Sequence, residues 1–159
     1  MSDWIDAEQH ADQAATLLES GRLAEAEAAF RRALAIDSDQ PDWHYQLGLI
    51  LEMSGRDVEA VEAFDRASTA APGTRDYVDA AASVSLRLGD IQQAEARLAR
   101  LAQICPDDPE VWPRLIAARA KLGQHDEAET TFYLAEMHLD RTTAACLVAM
   151  GQSLIARQL

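Results

Sequence analysis

Four histidines and two cysteines are the side chains of this 159-residue chain best suited to hold a metal, move a proton or attack a carbonyl carbon. Such chemistry needs them to converge, and their spacing does not bring them together. His10 and His44 stand 34 residues apart, whereas His125 and His138 fall elsewhere in the pattern described below. No His-Glu-x-x-His pair, glycine-rich phosphate loop, or serine or cysteine in a nucleophile motif occurs. Cys105 and Cys146 lack the close pairing of a zinc site or a disulfide framework and read as small buried apolar residues. The expectation is a protein without catalytic residues, metal or cofactor, and not an enzyme.

What positions the side chains is a repeat. Gly21, Gly55, Gly89 and Gly123 recur at a constant interval of 34 residues. Three further columns keep that register: Ala26, Ala60, Ala94 and Ala128; Phe30, Phe64, Leu98 and Phe132; and Ala33, Ala67, Leu101 and Ala135. A small residue followed four positions later by a large apolar one places both on one helix face. The small one lets a neighbouring helix cross closely, and the large one fills the hollow beside it. Each period therefore reads as a first helix, a turn at the glycine, and a second helix ending near a proline or polar cluster. First helices are expected at about 3–19, 41–53, 75–87 and 109–121, and second helices at about 22–36, 56–70, 90–104 and 124–138.

The glycine follows the last turn of each first helix, where a left-handed backbone satisfies the helix end and only glycine adopts it without steric cost. Pro41 and Pro109 suit a first helical position, with Asp108 as a cap. Pro72 and Pro106 sit just after second helices and stop them. Pro113 would fall inside a helix beginning at Pro109, so that helix either starts later or bends there. With no strand-like alternation and aromatics at only 6%, the class is all-α.

Leu47-Gly48, Gly55, Ala60, Phe64, Ala67 and Pro72 together resemble the tetratricopeptide repeat, whose pattern includes leucine-glycine, then alanine, an aromatic, alanine and proline. The resemblance covers four repeats, about 7–40, 41–74, 75–108 and 109–142, followed by a helix at about 143–157; residues 1–159 are expected to form one domain. Gln13-Ala14, Ala81-Ala82 and Leu115-Ile116 replace leucine-glycine in the other repeats, and Ser38 and Asp140 replace the final proline. What the resemblance implies is a right-handed superhelix of antiparallel helix hairpins, with a concave groove lined by first helices that holds an extended peptide or a partner helix.

Carried over by register, that lining would be Ala11 and Ala15, then Tyr45, Leu49 and Glu52, then Asp79, Ser83 and Leu86, then Arg114, Ala117 and Lys121. Tyr45 is the expected anchor, because tyrosine offers a large contact area at low entropic cost. Family members that grip the carboxylates of heat-shock chaperones use lysine, asparagine and arginine at fixed first-helix positions. Ala11, Ala15, Leu49, Asp79 and Ser83 stand there, or Tyr45, Leu49, Ser83, Pro113 and Ala117 one repeat on, so no such clamp is implied.

The formal charge of −13 is carried mainly by the first half, where residues 1–80 hold 17 acidic and 6 basic side chains against 10 and 8 in 81–159. Thirteen arginines and one lysine, Lys121, scattered among 27 carboxylates offer no basic face for a phosphate backbone, which argues against nucleic acid. The acidity serves solubility or attracts a basic partner. No window approaches the ~18 apolar residues of a membrane span, and Met1-Ser2-Asp3-Trp4 lacks a signal peptide's basic and apolar regions. A cytoplasmic location without membrane association is expected, and the excess of arginine over lysine in an alanine-rich chain suggests a bacterial source.

The helix at 143–157 has Leu147, Val148, Met150, Leu154 and Ile155 as apolar residues and places Arg157 in the glycine column. Three readings stay open: a cap with apolar surface left over, a repeat cut from a longer array, or an interface that pairs two copies into a homodimer. The leading functional expectation is a scaffold binding a peptide or helix of another protein. One alternative is a chaperone for type III secretion translocators, since Asp126–Glu136 is similar to the last repeat of those small acidic proteins. Another is a repeat fragment of a larger multidomain protein or enzyme.

Overall fold

A computed structural model describes residues 2–158, so Met1 and Leu159 of the expected 1–159 domain lie outside the described residues. Among these residues the structure is all-α: α1 (Ser2–Glu19), α2 (Leu23–Ile36), α3 (Pro41–Met53), α4 (Asp57–Ala70), α5 (Arg75–Leu88), α6 (Ile91–Ile104), α7 (Val111–Lys121), α8 (His125–His138) and α9 (Ala144–Arg157). Two compact units are distinguished, Met1–Val84 and Ser85–Leu159. In the first, α1 packs on α2, α2 on α3 and α3 on α4; in the second, α6 packs on α7, α7 on α8, and α9 on both α7 and α8.

All four column glycines have φ between 72° and 78°. Each closes its helix by the same pair of bonds, as at Gly55, where its N–H donates to Glu52 O and the Arg56 N–H donates to Leu51 O, both at 2.9 Å. Two orphan carbonyls are thereby satisfied, and the chain turns into the next helix. Gly48 serves a different need. A Cβ there would lie 2.4 Å from Cε1 of Phe64, so the absent side chain is the space the ring occupies.

The prolines divide as expected with one correction. Pro41 opens α3, while α7 begins at Val111, not Pro109. Pro113 thus lies in the first turn, where a missing N–H leaves no helical bond unmade. Asp108 accepts from the Glu110 N–H at 2.9 Å and so caps the turn before α7 rather than the helix itself.

The core of the first unit gathers Phe30, Ile50, Leu51 and Phe64 over the alanines of the repeat columns. The second buries Leu98, Leu101, Val111, Leu115 and Ile116, with Cys146 fully enclosed. Cys105 departs from the expectation of burial: it is half-exposed at the C-cap of α6.

Candidate functional site

The histidines are dispersed and occupied by packing. The carbonyl of Ser38 accepts from His44 Nε2 at 2.9 Å, which puts the ring proton on Nε2. Trp112, in the same column two repeats on, donates from Nε1 to the carbonyl of Pro106 at 2.9 Å. Each bond reaches back six residues, so His44 does the work of an indole, tying the start of a first helix to the end of the preceding second helix. His138 stacks on Trp112 with ring centroids 5.7 Å apart, and His125 Nδ1 lies 3.0 Å from Ser153 Oγ. His10 is half-buried on α1. No three His, Cys, Asp or Glu among the described residues are grouped to hold a metal ion.

The first-helix face of the first unit is different in kind. Tyr45, on the middle of α3, is half-buried, with its ring 5.5 Å from that of Phe64 and 5.1 Å from that of Tyr77 on α5. Tyr77 is buried and its hydroxyl donates to Asp42 Oδ1. Desolvation, then the Asp42 bond and the charges of Asp42, Tyr45 and Asp76, pushes the Tyr77 phenol up to about 12. Burial raises Tyr45 as well, followed by the charges of Asp76, Glu52 and Asp79. Arg75 approaches this group, with Nη1 3.6 Å from Asp76 and 3.7 Å from Asp79.

The residues expected to line a groove are distributed as follows. Leu49 and Glu52 on α3 and Asp79 on α5 are half-buried, and Ala15 on α1 and Ser83 on α5 are exposed. Ala11 lies within the core, only 7% exposed, and has little surface to offer. In the second unit, Arg114 is half-buried and Lys121 exposed on α7. Leu147, Val148, Leu154 and Ile155 form an exposed stripe on α9, with Met150 half-buried behind it, while Arg157 reaches Asp126 at 3.0 Å and Glu129 at 3.7 Å.

Two features went unread in the sequence. Tyr77 is the nearest ring to Tyr45, and the signal for it was an aromatic two residues before Asp79 with Asp42 one repeat back. The second-helix side of each unit also carries a cleft, about 320 Å³ between α2, α3 and α4 and about 400 Å³ between α6, α7 and α8. Repeat-equivalent residues line them, His44 and Leu51 in one and Trp112 and Arg119 in the other.

Models of the tetratricopeptide repeat match residues 11–74 and 75–118, adjoining stretches that together span most of the chain. The chain belongs to the tetratricopeptide repeat family. No curated protein matches this tetratricopeptide repeat chain in sequence. Solved structures do match in fold. YrrB, described as a tetratricopeptide repeat protein with an unusual peptide-binding site, aligns with a TM-score of 0.69 at 20% identity over 96% of this chain and 87% of its own. MamA aligns at 0.77 and 15% identity over 100% and 85%. The Yersinia enterocolitica type III secretion chaperone SycD, solved with a peptide of the translocator YopD, aligns at 0.62 and 21% identity over 72% and 92%. At such identities the likeness is one of fold. No helix among the described residues is long and apolar enough to cross a membrane.

Proposed function

We propose that this tetratricopeptide repeat protein is a cytoplasmic, non-enzymatic scaffold acting as one domain, which holds a peptide or helix of a partner protein against its first-helix face. Ala15, Tyr45, Leu49, Glu52, Asp79 and Ser83 are the proposed contacts in the first unit, and Arg114 and Lys121 in the second. The observation that carries this reading is Tyr45, a large ring left half-exposed in mid-helix although two other rings lie within 5.5 Å of it. A tyrosine held in place by its neighbours contacts a partner without losing rotamer freedom on binding. YrrB, described as having a peptide-binding site, and SycD, solved with a peptide, support a peptide-holding use of the fold.

The test is affinity capture from lysate with the wild type beside a Tyr45→Glu, Leu49→Glu variant of unchanged helicity. A protein held by the first and lost by the second supports the reading; one held equally by both overturns it. The likeness to SycD favours a second reading, a chaperone for an apolar translocator, which predicts that co-expression keeps such a client soluble. The exposed stripe of α9 is proposed as a homodimer contact, and a concentration-independent monomer by light scattering would exclude that.

A further inference from the structure

We infer that the cleft between α2, α3 and α4 binds a small zwitterion with an apolar body, of the class of the apolar α-amino acids. Its carboxylate sits on Arg66, its ammonium on Glu62 and its side chain on the leucine floor of the cleft. None of the lining residues belongs to the proposed contacts around Tyr45, so this site is separate from the docking reading.

The floor comes from three helices: Leu34 of α2, Leu47 and Leu51 of α3, and Ala63 of α4, the last three buried. Arg31, Glu59, Glu62 and Arg66 are its charged neighbours. Two of these are already engaged. Arg31 lies 3.0 Å from Glu27 and 3.5 Å from Glu59, and Glu59 also pairs with Arg56, so ion pairs tie α2 to α4 beside the cleft. Glu62 and Arg66 differ. Their spacing on α4 is that of Glu27 and Arg31 on α2, which pair at 3.0 Å, yet neither has a hydrogen bond or an ion pair among the described residues.

The result is a cleft of about 320 Å³, within the range of small-molecule sites, with an apolar floor and two free charges of opposite sign. Those charges stand about 6 Å apart along the helix axis. An α-amino acid brings one matching group to each: the guanidinium donates to its carboxylate, Glu62 accepts from its ammonium, and its apolar side chain leaves water on the leucines. A lone acid or a lone amine satisfies one charge only, and the backbone inside a peptide brings neither. The repeat-equivalent cleft of the second unit offers no such pair. Its Arg119 is held by Glu95 at 2.9 Å and donates to Thr131 Oγ1.

The experiment is calorimetric titration of the full chain with L-leucine and L-phenylalanine, beside glycine, N-acetyl-L-leucine and L-leucinamide. Leucine or phenylalanine is expected to bind with a Kd of about 1 mM, and the other three at least about fivefold more weakly. Glu62→Gln and Arg66→Gln, which alter exposed side chains and should leave the helicity unchanged, should each weaken leucine about fivefold. Arg32→Gln, at an exposed arginine outside the cleft, and Tyr45→Ala should leave it within about twofold. No binding of leucine or phenylalanine up to about 10 mM overturns the inference. So does binding that survives both cleft substitutions. Glycine bound as tightly as leucine removes the apolar floor from the site, and N-acetyl-L-leucine or L-leucinamide bound as tightly removes the zwitterion; either result overturns the proposed ligand class.

Discussion

The second and fourth repeats fill the same volume from opposite sides. In the second, Gly48 of α3 leaves room for Phe64 of α4, whose ring is fully buried. In the fourth, Ile116 of α7 holds the column of Gly48 and is fully buried, and Phe132, in the column of Phe64, is only half-buried with its ring 5.9 Å from that of Tyr133. Another pair of columns diverges in chemistry. Leu17 with Ala29 and Leu51 with Ala63 are apolar in the first unit. Their counterparts in the second are Arg97 donating to Ser85 Oγ at 3.2 Å and Arg119 donating to Thr131 Oγ1 at 2.5 Å, with the arginine on the second helix in one repeat and on the first helix in the other. A repeat register thus constrains volume and closure, while the groups that fill them vary so long as buried polar atoms find partners.

Moving a residue between equivalent columns is the sharpest way to break the comparison. Gly48→Ile, which installs the residue of the fourth repeat in the second, should have the largest effect, about 3 kcal/mol of lost stability by denaturant midpoint, because its first side-chain carbon already lies 2.4 Å from the Phe64 ring. Phe64→Ala in the same chain should recover part of that loss by vacating the space, and simple additivity of the two losses would show that the columns do not share a volume. Arg119→Leu, which installs the residue of the second repeat in the fourth, comes next at about 2 kcal/mol, since Glu95, whose side chain is 19% exposed, loses its 2.9 Å partner. Adding Glu95→Ala should restore about half, and a single variant as stable as the wild type would mean that the ion pair was dispensable.

These exchanges also mark what was legible in the sequence. The 34-residue period located the helices of the described residues to within a residue or two because glycine at a left-handed turn and alanine at a close crossing have no common substitutes. It failed at Pro109, where the loop between α6 and α7 runs two residues longer, and the first-turn position of Pro113 is the physical reason. The site was legible only in part. Tyr45 followed from register, but its pairing with Tyr77 depends on the approach of α3 to α5, and no single-helix pattern encodes an approach between helices. The burial of Ala11 was missed for the same reason, since a small side chain near a crossing is covered by whatever packs on it.

Gly55→Val tests the turn rather than the packing. No atom lies within 4 Å of a Cβ built there, so the entire loss, about 1–2 kcal/mol, would come from forcing a β-branched residue to φ 73°. Gly55→Asn should lose less, because asparagine visits that region more readily. Equal melting temperatures for the wild type and the valine variant would count against a left-handed turn at this position.

The smallest effect at neutral pH, and the one most specific to the first unit, concerns Tyr77, whose column in the second unit is held by the non-ionising, fully buried Val111. The folded phenol is pushed from 10.0 up to about 12, chiefly by desolvation and then by its bond to Asp42. The raised value means that the folded state favours the protonated form. Its contribution is therefore complete below pH 10 and is lost as pH rises from 10 towards 12. Tyr77→Phe should cost about 0.5–1 kcal/mol at neutral pH for the missing bond and should flatten the decline of stability across that alkaline interval. Asp42→Asn should bring the phenol back towards its usual value without restoring it fully, because burial remains. The measurement is tyrosinate absorbance of the folded chain against pH, beside denaturant unfolding at each pH. A Tyr77→Phe variant whose alkaline decline matches the wild type would show that this phenol is not the group whose ionisation loosens the α3–α5 face.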